Sequence, residues 1–440
     1  MTVIFEPSIE TTPWDGQKSA DDALYRAQIG YLLARSDFYR DKLGAAGVRT
    51  PDDAGGLAEI ARLPLTAKGD LRAARRTGDA LGPHLAAERH QIARIYSTSG
   101  TTGEPSYVPL TQNDLKDWIR ISMRSYAASG IEAGQSIITT YGAGPFVAGV
   151  TLDAFQSLGL IHIPLGAGNT DRLIAALKQL HPDAIAMTPS YALHLAEWAE
   201  ERGIDLASSS VTRLLVAGEP GGGETAMRAR LEAAWGARVT EAMGIGDIAV
   251  SLFGECEVQQ GMHFSGRGLV HMELIDPETG DPVALEDGAW GELVLTHLKR
   301  EAAPMLRFRT RDHVHVRVGT CGCGRTAPRI RCVGRTDDML IVRGVNVFPS
   351  AVREVVAEFA PLVTGVMMIE AHAAGVKQPA PLQVVVELAP GAMAEASLAA
   401  AIRKRIRDRL TVTAEIRLAP ALSLPRSAYK SKLVDYSRAK

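Results

Sequence analysis

The chain is poor in cysteine and in net charge, and it lacks long apolar runs. With 4 cysteines in 440 residues it is not a disulfide-stapled scaffold. A formal net charge of -2 leaves no global basic field to hold nucleic acid or a membrane surface. No apolar run approaches the roughly 20 residues that span a bilayer, and the first residues lack a secretory signal pattern. We therefore expect a cytoplasmic protein without nucleic-acid or membrane partners.

Length and hydrophobic patterning predict a folded α/β protein of more than one domain. A chain of 440 residues is longer than a single domain with one hydrophobic core usually is. Its content of 46% hydrophobic and 22% charged residues is ordinary for a globular protein. Residues 1–90 show helical spacing, and short apolar runs then alternate with amphipathic stretches. Turn-rich, alternating runs at 268–318 predict a β-rich subdomain. We predict a large N-terminal domain (1–334) with doubly wound sheets and a small α+β C-terminal domain (335–440).

The run S-T-S-G-T-T-G-E-P at 97–105 is typical of a phosphate-binding loop. Its hydroxyls and glycines let side chains and backbone N–H groups hold phosphate oxygens without a charge. The spacing G-x-x-x-x-G-K-[ST] of a Walker loop is absent, and Glu104 stands where a cation is expected. A flexible Ser/Gly linker is the alternative. The candidate phosphate ligands are Ser97, Thr98, Ser99, Gly100, Thr101, Thr102 and Gly103.

The same loop resembles the signature S-S-G-T-T-G-x-P of adenylate-forming enzymes, and the resemblance covers nearly the whole chain. It continues through L-P-L-T-A-K-G-D-L-R, Y-G-A-G-P-F-V-A-G, V-A-G-E-P, R-F-R-T-R-D, G-R-T-D-D-M-L-I-V-R-G-V-N-V-F-P-S and L-P-R-S-A-Y-K. The chain resembles the phenylacetate–coenzyme A ligase group of this superfamily. The resemblance implies that ATP and a carboxylic acid give an acyl-adenylate and pyrophosphate, and that a thiol then displaces AMP.

The resemblance also implies which residues bind the nucleotide. Asp312 matches the acid that accepts hydrogen bonds from both ribose hydroxyls, and Arg335 matches the arginine at the ribose and phosphate. M-G-I-G-D at 243–247 stands where the family has Y-G-L-S-E, so Met243 replaces the tyrosine that stacks on adenine. Asp247 replaces the magnesium-ligating glutamate and has a shorter reach. Gly218, Glu219 and Pro220 match the family's turn that packs against adenine. Gly244 is assigned to both the nucleotide and the acid substrate.

Catalysis and domain motion are implied for the C-terminal part. Lys430, in L-P-R-S-A-Y-K, matches the lysine that reaches the carboxylate and α-phosphate during adenylation, and it is assigned as catalytic together with Asp247 and Arg335. Asp337 matches the hinge about which a mobile small domain swings between the half-reactions. Arg343 and Gly344 match the loop that faces the thiol step.

Two aromatic residues match positions of the acyl pocket in the resembled group. They are Tyr141 and Phe146, in Y-G-A-G-P-F, and an aromatic pocket suits an aryl or arylacetic acid. Ordinary core aromatics are the alternative for both residues. Gly244 is the third residue assigned to the acid substrate.

Three cysteines and one histidine form a candidate metal set. Cys321 and Cys323 lie one residue apart in a glycine-rich turn, and Cys256 and His263 form a second cluster upstream. Three thiolates and one imidazole make a closed tetrahedral zinc set, which is typical of a structural site. Some members of the resembled group look as if they carry zinc here. Reduced cytosolic thiols are the alternative, and Cys332 could replace His263.

The predicted function is that of an AMP-forming ligase that activates an aromatic or arylacetic acid and transfers it to coenzyme A. The expected cofactors are ATP, Mg²⁺, coenzyme A and structural Zn²⁺, and the resembled group leads us to expect a homodimer. One alternative keeps adenylation but changes the acceptor to a carrier-protein thiol, an amine or a phenol. Another is a non-catalytic nucleotide-binding regulator, suggested by Glu104, Met243 and Asp247. The sequence does not identify the acid.

Overall fold

A computed structural model describes residues 3–75, 80–97, 106–141, 144, 147–166, 170–426 and 432–439, without the side chains of residues 147 and 337. Short 3-10 helices cover Leu57–Arg62, Arg89–Gln91, Val147–Gly149 and Thr336–Asp338. The α-helices of the described residues are α1 (Pro7–Glu10), α2 (Trp14–Arg35), α3 (Asp37–Ala45), α4 (Lys68–Ala73), α5 (Gln112–Ala128), α6 (Val150–Ser157), α7 (Thr170–Leu180), α8 (Pro189–Glu201), α9 (Thr225–Trp235), α10 (Pro349–Ala357) and α11 (Ala396–Leu410).

The strands complete a mixed α/β architecture. They are β1 (Ile92–Ser97), β2 (Tyr107–Thr111), β3 (Ser136–Thr139), β4 (Ile161–Pro164), β5 (Ala184–Met187), β6 (Arg213–Ala217), β7 (Arg238–Ile245), β8 (Ala249–Glu255), β9 (Met262–Phe264), β10 (Val270–Ile275), β11 (Pro282–Val283), β12 (Trp290–His297), β13 (Phe308–Arg317), β14 (Arg329–Arg335), β15 (Leu340–Val342), β16 (Val345–Val347), β17 (Val363–Glu370), β18 (Lys377–Gln378), β19 (Leu382–Leu388), β20 (Ala414–Ala419) and β21 (Val434–Asp435).

The chain divides into two compact units. The first unit is built from Met1–Gly166, Pro182–Ala186 and Thr240–Arg331, and the second from Ala167–His181, Met187–Val239 and Cys332–Lys440. The second unit therefore includes α7, α8 and α9 together with the C-terminal region. The predicted domains, 1–334 and 335–440, stay a prediction.

The first unit contains the predicted helical start, parallel strands and the β-rich region. Helices α2 and α3 bury Tyr25, Ile29 and Tyr39 in one apolar cluster, as the helical spacing predicted. Strand β3 pairs in parallel with β4 and with β5, and α6 connects β3 to β4. The remaining strands of the unit's large sheet follow the order β11-β10-β12-β13-β14-β9-β8-β7. The predicted α/β fold with a β-rich part is confirmed.

The second unit contains two small sheets packed with helices. Their strand orders are β16-β15-β18 and β20-β19-β17-β21. Val352 and Val356 of α10 and Ile402 and Ile406 of α11 are buried in the same apolar cluster as Val384 of β19. The strands and helices predicted after Gly334 are therefore present. Within the described parts of the chain, no helix is long and apolar enough to cross a membrane.

Candidate active site and metal centre

Strands β1 and β2 bring the two ends of the glycine-rich loop together. They pair antiparallel, and Ser97 lies opposite Tyr107, so the loop connects two adjacent strands. Ser97 is half-buried at the end of β1. The remaining predicted phosphate ligands, Thr98 to Gly103, and Glu104 lie outside the described residues.

Asp312 is a buried carboxylate on β13, with 4% of the residue exposed. The pairing of β12 with β13 shifts register between Glu292 and Val294, and Arg311 has a φ of 67°. Such a bulge breaks the strict alternation of a strand, and Asp312 and His313 are accordingly both buried although they are consecutive. The backbone N–H of Asp312 donates to Thr310 Oγ1 at 3.1 Å. The irregular strand thus fixes the position of this acid.

The segment M-G-I-G-D lies on the hairpin between β7 and β8. Met243 pairs with Phe253, and Asp247 lies in the connecting turn. A Cβ atom on Gly244 would lie 2.7 Å from the backbone nitrogen of Ser251, so the close approach of the two strands requires glycine there. The hairpin brings Met243, Gly244 and Asp247 together within one short segment.

Lys68 reaches this hairpin from a distant part of the sequence. Its Nζ lies 3.1 Å from Asp247 Oδ2, and the side chains are 32% and 12% exposed, respectively. Thr66 forms a parallel bridge with Phe308 of β13, which holds the first turn of α4 beside the strand that carries Asp312. Lys68 was not among the residues that the sequence predicted, although it belongs to the quoted piece L-P-L-T-A-K-G-D-L-R.

A neutral histidine supports the same hairpin. His297 Nε2 lies 3.0 Å from the carbonyl oxygen of Ile248, and His297 Nδ1 accepts a hydrogen bond from the Met305 N–H at 2.9 Å. The ring therefore donates to Ile248, the residue after Asp247. Burial, with a contribution from Arg300, lowers the pKa of His297 to about 3, so the ring stays neutral and the donor remains fixed.

Tyr141 is half-buried just after β3, and its hydroxyl accepts a hydrogen bond from Thr151 Oγ1 at 3.0 Å. Burial raises the pKa of Tyr141 well above its usual value, so its hydroxyl stays neutral. The side chain thus offers both an aromatic ring and a polar group. Phe146, the other predicted acyl-pocket residue, lies outside the described residues.

The turn Gly218–Glu219–Pro220 follows β6 in the second unit. Gly218 has a φ of 97°, a conformation that favours glycine. Glu219 Oε1 accepts a hydrogen bond from the backbone N–H of Ser190 at 2.8 Å and thereby binds the first turn of α8. The Pro220 carbonyl accepts from Arg353 Nη2 at 2.7 Å. The turn is therefore held from both sides by its own unit.

The remaining C-terminal candidates lie on β14 and the hairpin after it. Arg335 ends β14 and is half-buried, and Asp337 lies in the following 3-10 helix. Arg343 and Gly344 have φ values of 50° and 81° and form the exposed two-residue turn between β15 and β16, where two positive φ angles are favoured. Lys430, the predicted catalytic lysine, lies outside the described residues.

The three cysteines and one histidine of the candidate metal set come together in the first unit. Their ligand atoms all lie within 4.8 Å of one another, and all four residues are buried. His263 Nε2 is 3.3 Å from Cys256 Sγ and 3.4 Å from Cys323 Sγ, and Cys256 Sγ is 3.8 Å from Cys321 Sγ. Zinc–sulfur bonds of about 2.3 Å in a tetrahedron place sulfurs about 3.8 Å apart. The donor set therefore fits Zn²⁺, with His263 and not Cys332 as its fourth member.

The β-sheet explains how residues so far apart in sequence meet. His263 on β9 lies opposite Gly254 of β8 and opposite Arg329 of β14. Cys256 follows β8, and the cysteines of C-G-C lie in the connection that leads into β14. The hydrogen bond from Cys256, together with that from His263, lowers the pKa of Cys323, as expected where a thiolate is favoured.

An arginine connects the metal set to the N-terminal segment. Arg325 Nη1 lies 3.7 Å from Cys323 Sγ, and Arg325 Nε donates to Glu10 Oε2 at 2.6 Å. Arg325 is thus shared between a sulfur of the set and the carboxylate of Glu10. The cluster thus joins β8, β9, the turn before β14 and α1 into one region.

Comparison with known proteins gives two family matches. The model of the AMP-binding enzyme matches residues 36–297, and that of the AMP-binding enzyme C-terminal domain matches residues 344–438. A curated phenylacetate-coenzyme A ligase of Thermus thermophilus is 34% identical, over 97% of this chain and 97% of its own. The phenylacetate-coenzyme A ligase of Escherichia coli is 32% identical, over 96% and 95% of the two chains.

A solved relative is similar in structure over nearly the whole chain. The crystal structure of 2-hydroxyisobutyryl-CoA ligase in the postadenylation state, in complex with 2-HIB-AMP, gives a TM-score of 0.89 at 26% identity, covering 98% of this chain and 92% of that one. The same ligase in the thioesterification state, with 2-HIB-AMP and CoA, gives a TM-score of 0.71 at 27% identity, covering 98% and 91%.

Proposed function

The chain belongs to the adenylate-forming AMP-binding enzyme family as a phenylacetate–coenzyme A ligase-like member, and from this premise we propose that it activates an arylacetic acid with ATP and transfers the acyl group to coenzyme A. The observation that carries the proposal is the 34% identity to a phenylacetate-coenzyme A ligase over 97% of both chains. Asp312 and the hairpin that carries Met243, Gly244 and Asp247 support it, because the structure builds both into fixed positions.

The reaction takes place in two displacements. A carboxylate oxygen of the acid attacks the α-phosphorus of ATP, the bond from that phosphorus to the α–β bridging oxygen breaks, and pyrophosphate leaves with the electron pair. The thiolate sulfur of coenzyme A, having lost its proton to solvent, then attacks the acyl carbon, and the bond to the AMP oxygen breaks. Both steps concentrate negative charge, so the protein has to supply cations and N–H donors at the phosphates.

Five parts of the chain are proposed to bind the nucleotide or its magnesium ion. The buried carboxylate of Asp312 holds the ribose hydroxyls, the turn at Gly218 lies against adenine, and hydroxyls and amides of the loop that begins at Ser97 hold phosphate oxygens. Arg335 contributes a forked donor to the ribose and phosphate region. Asp247 would hold Mg²⁺, which neutralises phosphate charge when bound.

Lys68 is proposed to supply the positive charge that the loop lacks. Its ammonium is held beside Asp247, and it would pair there with phosphate oxygens of bound ATP. A flexible point charge suits a leaving group whose charge grows during the reaction.

Lys68→Met is expected to lower kcat/KM for ATP in pyrophosphate release by about tenfold or more, because one phosphate cation is lost. Lys116→Met is the matched control, since Lys116 is an exposed lysine on α5. Lys68→Arg should keep part of the activity. Equal kcat/KM for ATP in the wild-type and Lys68→Met proteins would show that Lys68 is only a structural partner of Asp247.

Zn²⁺ is proposed as a structural ion held by Cys256, His263, Cys321 and Cys323. The four ligands leave no open coordination position, so the ion holds protein segments together and takes no part in the chemistry. A cytoplasmic location and a homodimer stay predictions.

The proposed function is tested by pyrophosphate release from the purified protein with ATP and Mg²⁺ over a panel of acids. Phenylacetate and substituted arylacetates are expected to give saturable release, benzoate less, and 2-hydroxyisobutyrate little. Coenzyme A should turn the initial acyl-adenylate into a thioester and free AMP, whereas without it acyl-AMP should accumulate on the enzyme. If no acid in the panel released pyrophosphate, the enzymatic proposal would fail, and an equal rate without any thiol would point to another acceptor.

A further inference from the structure

A cluster of two buried carboxylates and two half-buried arginines lies in the second unit. Glu197 comes from α8, Arg230 from α9, Glu387 from β19, and Arg426 from the segment after β20. The cluster joins helices that precede residue 240 to the region that matches the C-terminal domain.

Arg426 bridges the two carboxylates with paired hydrogen bonds. Its Nε lies 2.8 Å from Glu197 Oε2, and its Nη2 lies 2.5 Å from Glu387 Oε1. The side chains are 17%, 9% and 0% exposed for Arg426, Glu197 and Glu387, respectively. Burial opposes the charge of Arg426, but its hydrogen bonds to Glu387 and Glu197 raise its pKa, so the guanidinium of Arg426 stays charged at neutral pH.

Arg230 completes the charge balance of the cluster. Its Nη2 lies 3.0 Å from Glu197 Oε1, and its Nη1 donates to the carbonyl oxygen of Thr364 on β17. Glu197 therefore faces one arginine from its own half of the unit and one from the C-terminal region. Removing the charge of Glu197 would take this carboxylate from both arginines and leave Glu387 as the remaining acid of the cluster, which weakens the cross-link more than the loss of a surface ion pair would.

A second contact connects the same two regions. Arg353 on α10 lies 2.6 Å from Glu224 Oε1, just before α9, and donates to the Pro220 carbonyl at 2.7 Å. Pro220 belongs to the turn that is proposed to lie against adenine. The C-terminal region is thus held to the α8–α9 region at two separate points.

The position of Arg426 in the chain gives the cluster its functional meaning. Arg426 is the arginine of L-P-R-S-A-Y-K, four residues before Lys430. Arg426 is thus an anchor close in sequence to the lysine assigned to adenylation.

We propose that Glu197 is a positioning residue: it holds Arg426, four residues before Lys430 in the sequence, to α8 during adenylation. We call this contact between Glu197 and Arg426 the latch, and we propose that it opens before the thiol step. The proposal rests on the proposed two-step function. It predicts that adenylation slows while thioester formation does not when the contact with α8 is weakened, because Glu387 still holds Arg426 within the C-terminal region.

The test is Glu197→Gln, which keeps the shape of the side chain and removes its charge. Adenylation, measured as pyrophosphate release in single turnover, is expected to slow by about tenfold, as for a population shift of that size. Thioester formation from supplied acyl-adenylate and coenzyme A should stay unchanged or become faster. Glu200→Gln is the matched control, since Glu200 is an exposed glutamate on the same helix, and it should leave both half-reactions unchanged.

The ratio of the rates of the two half-reactions distinguishes the proposed latch from a purely structural role of Glu197. A merely stabilising Glu197 would lower the unfolding temperature and slow both half-reactions by the same factor, or slow neither, and either result would overturn the proposal. Glu197→Asp should restore part of the adenylation rate because it restores the charge. Failure of the proposed function itself is distinguishable, because then the wild-type protein would release no pyrophosphate.

Discussion

Cys323→Ser protein is expected to lose bound zinc and to unfold at a temperature roughly 10 °C below that of the wild type. A serine hydroxyl is a poor zinc ligand, and a structural zinc site contributes its binding free energy to folding. Loss of several kcal/mol shifts the unfolding temperature of a large domain by a few degrees per kcal/mol. Metal content by elemental analysis and thermal unfolding followed by circular dichroism measure the two effects.

Cys332→Ser is the matched control for this experiment. Cys332 is a half-buried cysteine of the same chain that lies outside the four-residue group, so its substitution should leave zinc content unchanged. Chelation of zinc from the wild-type protein should reproduce the lower unfolding temperature of Cys323→Ser. The proposal would be contradicted if wild-type protein expressed in zinc-supplemented medium contained no zinc and its unfolding temperature did not change on chelation. That result would favour reduced thiols.

The metal set was predictable because it depends on rare residue types and on a local turn. Cysteine and histidine have few other reasons to cluster in a chain with 4 cysteines and 11 histidines, and C-G-C already places two thiols together. The choice between His263 and Cys332 was not predictable, because it depends on the register of β9 with β14. No local pattern fixes the pairing of strands that lie far apart in sequence.

The nucleotide residues were assigned by motif, and the structure adds contacts that no motif contains. Lys68 and Asp247 are 179 residues apart, and Arg426 and Glu197 are 229 residues apart. Neither pair can be predicted from hydrophobic periodicity, because periodicity indicates only which face of a helix or strand is buried. Lys68 could have been singled out, since it is the basic residue of a quoted piece of the family pattern. Glu197 carried no signal, because an acidic residue on an amphipathic helix is ordinarily assigned to the solvated face.

Lys430→Ala is expected to slow adenylation by about a thousandfold while thioester formation from supplied acyl-adenylate is retained. The lysine is proposed to contact the carboxylate and α-phosphate only while the first bond forms, so its loss removes an interaction specific to that transition state. Lys432→Ala is the matched control, because Lys432 lies two residues away and is the other candidate of the same motif. Pyrophosphate release and single-turnover thioester formation measure the two half-reactions, and an unchanged unfolding temperature confirms folding. Unchanged adenylation in Lys430→Ala, or loss in Lys432→Ala instead, would overturn the assignment.

Combining this substitution with Glu197→Gln tests whether the latch acts through Lys430. If Glu197 matters for adenylation only because it positions the segment that carries Lys430, the second substitution should not slow a protein that already lacks the lysine. Such non-additivity is the expected behaviour of residues that act as one unit. The residual pyrophosphate release of the Lys430→Ala protein is therefore expected to stay the same when Glu197→Gln is added. A further tenfold loss of pyrophosphate release would mean that Glu197 supports adenylation independently of Lys430. The latch proposal would then be wrong even if each single variant behaved as expected.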